Sequence, residues 1–295
     1  MADLPDFLEG AVDLHVHSAP DVDERRFSDI ELASEAARAR MAAILIKSHQ
    51  NSTVERAWLV SRFISGIRVF GGLVLNETVG GLNPAAVSLA LSMRAKEVWM
   101  PTRSALNHRR HEALPGGITV LNDRGELVPA AEEILRILAG SGCILGTGHL
   151  SQEETFALAD RACALGGIQV LVTHPEWAPT FFSVPQQKIL AARGNVTFER
   201  CFVSTTHRCG FVPFTTIEQA IAETGVEKTV LSTDLGQPDT PPPVDGLREY
   251  AARLRAAGFS VDDVRRMMQT NPARLLGLEK DETRGGSQRT EVHTQ

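Results

Sequence analysis

The sequence predicts an α/β protein folded as one (β/α)8 barrel (a TIM barrel), a single domain with a hairpin-containing insertion after its fourth strand. Three observations carry this expectation. Eight short apolar runs are each followed by a helical stretch. The runs are continuously apolar rather than alternating, as strands buried on both faces of a parallel sheet must be. The first run is followed by neither a GxGxxG turn nor a phosphate-binding loop, which weakens the doubly wound alternative. A length of 295 residues suits eight such units in one barrel.

Each element has a local reason. The first run, 11–16, leads into Asp13, His15 and His17 at its end. Ser28 and Glu31 have capping-box spacing and open a helix to about residue 40. Residues 42–46 (AAILI) read as a buried strand, and Ser52 with Glu55 repeats the capping spacing ahead of a helix to 64. Strand three is 68–75, followed by a helix that Asn83 caps and Pro84 begins. Strand four is 98–100 and ends in VWMPT. The rhythm then breaks. A polar, basic stretch (TRSALNHRRH) precedes ITVLNDRGELV, which reads as a hairpin turning at 122–125. A helix over 129–138 and strand five at 143–146 restore it, and Ser151 with Glu154 caps a helix to 165. Strand six (169–172), a helix (185–193) and strand seven (196–198) follow. Thr215 with Glu218 caps the next helix, Val230 and Leu231 lie in strand eight, and the last helices cover 244–257 and 261–268. Residues 1–280 are expected to form the barrel, and 281–295 a polar, disordered tail.

Composition excludes several classes of function. The formal net charge of −6 argues against a general polyanion binder, because nucleic-acid binding rests on clustered positive charge. The opening MADLPDFLEG has no apolar core of a signal peptide, and no stretch reaches membrane-spanning length. Four cysteines show no CxxC spacing, so a cytoplasmic chain with reduced thiols is expected. The expected partner is a small-molecule substrate, with neither nucleic acid nor membrane; assembly into a homo-oligomer is left open.

The histidines are informative through their placement. In a barrel the active site lies at the carboxy-terminal ends of the strands. Strand one ends in His15-Val-His17, and residues i and i+2 of an extended chain share a face. Strand two ends in Lys47-Ser-His49, strand three in Asn76-Glu77, strand five in His149, strand six in His174, strand seven in Glu199-Arg200 and strand eight in Asp234. Five of the nine histidines thus fall at predicted strand ends. Imidazoles and carboxylates converging from separate strands are what a Zn, Mn or Fe site requires.

This arrangement resembles the amidohydrolase superfamily of metal-dependent barrel hydrolases, in a bacterial branch of it. The matching motifs are DLHVH at strand one, GTGH at strand five, VTH at strand six, STD at strand eight and the closing TNPARLLGL, spanning residues 12–278. The resemblance implies one or two divalent ions, zinc first, with manganese or iron as alternatives. In the two-ion version His15, His17 and Asp234 hold one ion, His149 and His174 the other, and a bridging ligand joins them. In the one-ion version His15, His17, Asp234 and one of His149 and His174 suffice. Many relatives carry a lysine or glutamate bridge at strand four, which is missing from VWMPT. Glu77 is the first substitute, as in the membrane-dipeptidase branch, and a carbamylated Lys47 the second. Asp234 would take the proton of the attacking water, with Lys47 or His49 helping to polarise the scissile carbonyl. Asp13 would lie behind the ligands.

A second resemblance is to the polymerase-and-histidinol-phosphatase (PHP) type of metallophosphoesterase, in which His15, His17, His49 and Glu77 would all be metal ligands. KSH in place of TDH at strand two, and DLG in place of DxH at strand eight, depart from it. The expected function is therefore hydrolysis of an amide, cyclic amide or lactone bond in a small, anionic substrate. A phosphoesterase and a non-hydrolytic lyase or decarboxylase are the alternatives. Arg103, His108, Arg109, Arg200 and His207 are the candidates for binding substrate, with Trp177, Phe181 and Phe182 as pocket walls.

Overall fold

Eight parallel strands pair in sequence order, each with the next. They are β1 (Val12–Val16), β2 (Ala43–Ile46), β3 (Arg68–Val74), β4 (Glu97–Trp99), β5 (Ile144–Gly146), β6 (Gln169–Thr173), β7 (Val196–Cys201) and β8 (Thr229–Ser232). The computed structural model describes residues 6–278, so the tail expected at 281–295 lies outside the described residues. The two end strands meet: Asp234 N donates to His15 O at 2.7 Å and His17 N to Leu235 O at 2.8 Å. The sheet is thereby brought round into the expected (β/α)8 barrel. Among the described residues, no helix is long and apolar enough to cross a membrane.

The helices are α1 (Asp29–Arg38), α2 (Val54–Phe63), α3 (Pro84–Ser92), α4 (Leu106–His111), α5 (Pro129–Leu138), α6 (Gln152–Leu165), α7 (Val184–Ala191), α8 (Phe214–Thr224), α9 (Pro243–Ala256), α10 (Val261–Arg265) and α11 (Asn271–Leu276). Both halves of the capping box form at Ser28–Glu31 and at Ser151–Glu154, and Asn83 accepts from Ala86 N. Two expected caps differ. Thr53 takes the cap position of α2, because the Ser52 hydroxyl turns to Glu55 Oε2 at 2.7 Å. Pro213 takes that of α8, which places Thr215 inside the helix. The hairpin after β4 shrinks to one antiparallel bridge, Leu121 with Leu127, next to α4. A π-helical stretch, Arg266–Thr270, joins α10 to α11.

One residue per strand or so fills the barrel: Val12, Leu14, Ala43, Leu45, Val74, Trp99, Ile144, Leu171 and Val230, with Leu275, Leu276 and Leu278 of the closing TNPARLLGL segment packed against them. Two further apolar clusters fill the space between strands and helices. β1 does not alternate simply. Its register against β2 shifts between Asp13 and Val16. Val12 and Leu14 therefore pack inside the barrel, while Val16 packs among the helices. A one-residue irregularity exchanges the faces of everything beyond it, which is how His15 and His17 also come to face inward. The Asp13 carboxylate anchors the irregularity. It accepts from His15 N at 3.1 Å, Thr233 N at 3.0 Å and Thr233 Oγ1 at 2.6 Å, tying β1 to β8, and burial pushes its pKa up to about 7.

Candidate active site

The carboxy-terminal strand ends open on a cavity of about 620 Å³ whose lining includes His17, Lys47, His49, His149, His174 and Asp234. A second hollow of about 650 Å³, lined by Trp58, Phe70, Arg94 and Lys96 among others, lies on the flank of the barrel and contains no His, Cys, Asp or Glu. The chemistry is therefore concentrated at the mouth.

Its floor is a compact cluster. His15 Nε2 and His17 Nε2 each lie 3.0 Å from Asp234 Oδ1, and the ligating atoms of the three residues all fall within 4.8 Å of one another. Burial disfavours charge on Asp234. The charge of His15 and the hydrogen bonds from His15 and His17 outweigh it and hold the carboxyl well below its usual range. Burial brings the His17 pKa down to about 3, so that this imidazole is neutral. Lys47 Nζ approaches His15 Nε2 at 2.9 Å, and burial lowers its pKa against the pull of Asp234 and Glu199. Asp234 and His174 both adopt positive φ, +52° and +33°. Non-glycine residues in this region cluster at functional sites.

The other histidines are held by one nitrogen each. His49 Nδ1 meets Thr102 Oγ1 at 2.9 Å, His174 Nδ1 meets Thr180 Oγ1 at 3.0 Å, and His149 Nδ1 meets His108 Nδ1 at 2.9 Å. Asn76 braces this wall, donating to His49 O and Thr102 Oγ1 and accepting from the backbone N–H groups of Thr102 and Ser104. Burial keeps His49 and His149 well below their usual pKa and lowers that of His174 to about 3. Trp177 stands edge-on to His149 and His174, with ring centroids 5.0 and 4.9 Å away. It lines the cavity as expected, whereas Phe182 packs in the core and Phe181 is exposed.

Two groups could hold a metal among the described residues: His15–His17–Asp234, and His15–Glu199–Cys201 directly beneath. The first fits a zinc-like ion. Its nitrogen–oxygen spacings of 3.0 Å approach the ~3.3 Å between ligands around a tetrahedral centre with bonds near 2.0 Å. His149 and His174 belong to neither group.

Several expected residues lie elsewhere. Glu77 begins a short 3₁₀ turn that carries its half-exposed carboxylate to Arg109, with an Nη2–Oε2 distance of 2.7 Å, so neither residue reaches the cavity. Arg200 points away from the mouth. Wholly buried, it pairs with Glu176 and bonds Gln187 Oε1 and Thr224 Oγ1 on the outer side of β7. His207 bonds Asp239 at 2.9 Å at the rim, and Arg103 and His108 line the cavity. The lining also includes Asp23, Glu24, Arg25, Val203, Arg208 and Cys209, with Gln237, Pro238 and Asp239 from the loop after β8. The basic pair in DERRF, directly after strand one, was the available signal for Arg25.

A family of unknown function (DUF6282) matches residues 10–199, and the chain belongs to it. No curated protein matches. Solved structures share the fold. An amidohydrolase from Pseudomonas aeruginosa superposes with a TM-score of 0.62 at 12% identity, over 92% of this chain and 96% of that one. A putative 2-pyrone-4,6-dicarboxylic acid hydrolase from Pseudomonas putida gives 0.59 at 14% identity, over 92% and 98%. The probable dipeptidase PvdM from Pseudomonas aeruginosa gives 0.59 at 10% identity, over 90% and 94%. The chain thus shares its barrel fold with these structures, as its motifs led one to expect, and they lend no support to the PHP resemblance.

Proposed function

We propose that this chain is a metal-dependent hydrolase that cleaves an amide, cyclic amide or lactone bond in a small anionic molecule. The observation that carries the reading is the His15–His17–Asp234 cluster, open to the cavity at the strand ends and ringed by neutral histidines. His15, His17 and Asp234 would hold one divalent ion, zinc first. Such an ion supplies Lewis acidity and lowers the pKa of water toward neutrality.

The chain's own groups do the rest. Asp234 is held ionised, so it can accept the proton of the attacking water and return it to the leaving nitrogen or oxygen. His49, His149 and His174 are neutral and line the cavity with Asp234. The Thr180 hydroxyl donates to His174 O, so His174 gives its one N–H to Thr180 and turns the Nε2 lone pair to the cavity, which suits a metal ligand; His49 or His149 can donate Nε2–H to the oxygen on which charge develops when its Nδ1 accepts. Lys47 faces the same space as a cation or a neutral donor. Arg103 and Arg208 place positive charge at the rim, paired with Asp23 and Asp239, while Arg25 is held by two bonds to the buried Asp21 carboxylate and lies 3.4 Å from Asp23. They favour a substrate carboxylate that replaces one of these contacts.

The experiment is metal analysis of the purified full chain, followed by turnover on a panel of amides, lactones, p-nitrophenyl phosphate and aromatic carboxylic acids. About one equivalent of metal and metal-dependent release of acid from an amide or lactone are expected. Equal turnover after chelation overturns the reading. Phosphate release alone, or carbon dioxide release alone, replaces it with the phosphoesterase or the lyase.

A further inference from the structure

Glu199 has no part in the scheme above. It projects from β7 into the barrel, fully buried, and its Oε2 lies 3.0 Å from His15 Nδ1. Its other oxygen, Oε1, has no hydrogen-bond partner among the described residues. The carboxylate is thus committed to one contact, the imidazole of His15. With Oε2 accepting from Nδ1–H, the neutral imidazole of His15 has its lone pair on Nε2. In the metal-free chain Nε2 faces Asp234 Oδ1 at 3.0 Å and Lys47 Nζ at 2.9 Å; a bound ion would replace the Nε2 proton that is shared with Asp234. Cys201 Sγ, 3.8 Å from the same Nδ1, is a poor competitor, because burial and the nearby Glu199 charge keep its thiol protonated.

We propose that Glu199 is a positioning residue for the metal centre. It fixes His15 as the Nδ1–H tautomer, orients the ring and presents Nε2 as a ligand. The proposal rests on the metal reading given above. Carboxylates that hold ligating histidines in this way typically contribute ten- to hundredfold in metal affinity. The same burial makes Glu199 a poor stabiliser of the fold, since a desolvated carboxylate with one unpartnered oxygen is costly. A positioning role and a structural role therefore predict opposite changes in the metal-free protein.

The test is zinc affinity of the full chain, measured by competition with a chromophoric chelator, alongside the thermal midpoint of the metal-free protein. Wild type, Glu199→Gln, Glu199→Leu and His15→Ala are compared. Glu199→Gln and Glu199→Leu are expected to bind zinc about ten- to hundredfold more weakly, with metal-free midpoints equal to or above wild type. Glu199→Gln keeps the size of the side chain but can offer Nδ1 an N–H, which favours the wrong tautomer, so its loss should approach that of Glu199→Leu. Wild-type affinity in both variants, while His15→Ala loses zinc, overturns the role of Glu199 and leaves the metal reading standing. A fall in the metal-free midpoint that accounts for the lost affinity makes Glu199 structural and also overturns it. If wild type holds no zinc, or His15→Ala holds it equally well, the metal reading fails and this proposal fails with it.

Discussion

Asp234 and His15 hold each other twice: the backbone N of Asp234 donates to the His15 carbonyl at 2.7 Å, and Asp234 Oδ1 lies 3.0 Å from His15 Nε2. One contact joins β8 to β1 and the other joins two candidate ligands. The last and first strands therefore meet at the point where the chemistry is placed, and the positive φ of Asp234, +52°, is part of that junction.

Substitutions at Asp234 should separate chemistry from strain. Asn tolerates positive φ, so Asp234→Asn should fold with near wild-type stability yet lose about 10³-fold or more in turnover, because it removes a general base and an anionic ligand. Asp234→Ala should lose turnover equally and cost a further ~1–2 kcal/mol, because Ala lacks the short polar side chain whose local hydrogen bonds let Asp and Asn occupy the left-handed region. Urea midpoints and zinc content of the two variants check the split.

Gly236 controls the approach of the loop after β8 to His17. A Cβ on Gly236 would lie 2.0 Å from the His17 carbonyl oxygen, and the residue has φ +134°. Backbone cannot yield there as a flexible side chain could. Gly236→Ala should therefore destabilise by about 3 kcal/mol or more and weaken zinc binding through His17. Measuring zinc affinity well below the unfolding midpoint distinguishes the local effect from general loss of fold.

Glu97 should give the protein an alkaline weakness. It sits on β4 inside the barrel, and neither carboxylate oxygen has a hydrogen-bond partner among the described residues. Burial first, and the Glu199 charge second, raise its pKa well above the usual value, against the pull of Lys47. Between its unfolded pKa, near 4.3, and its raised folded pKa, the native state binds the extra proton. Stability from this group is thus greatest in acid and declines as pH rises through that window. Glu97→Gln removes the titration. Thermal midpoints from pH 5 to 9 should show the variant gaining on wild type as pH rises; parallel curves would contradict the assignment.

The part of the site that follows apolar strands was legible in the sequence. His15, His17, Lys47, His49, His149, His174 and Asp234 all emerge near where a buried run ends, and the barrel brings those ends together. What was hidden depended on side-chain direction or on partners distant in sequence. Glu97 was missed because β4 begins at it and not at Val98. Arg25, Arg208 and Asp239 converge only once the loops after β1, β7 and β8 are folded. Glu77 follows β3 as expected, but the 3₁₀ turn points it outward. Asp13 was expected behind the ligands, but its partner there, Thr233, is 220 residues away and could not be read from the sequence.

Arg200 shows how a change of face reverses a functional reading. β7 runs on to Cys201, so Glu199 and Arg200 are adjacent strand residues on opposite faces. Glu199 turns to His15 in the barrel, and Arg200 turns outward to Glu176, Gln187 and Thr224. Both members of the Arg200–Glu176 pair are almost completely buried. Removing one partner of such a pair strands the other charge, at a cost of about 3–5 kcal/mol. Arg200→Met should therefore lower stability by that amount, while the folded fraction retains wild-type kcat/KM and zinc affinity. Adding Glu176→Gln removes the stranded charge and should recover most of the loss, a coupling that a double-mutant cycle measures directly. A drop in kcat/KM without loss of stability would instead return Arg200 to the substrate.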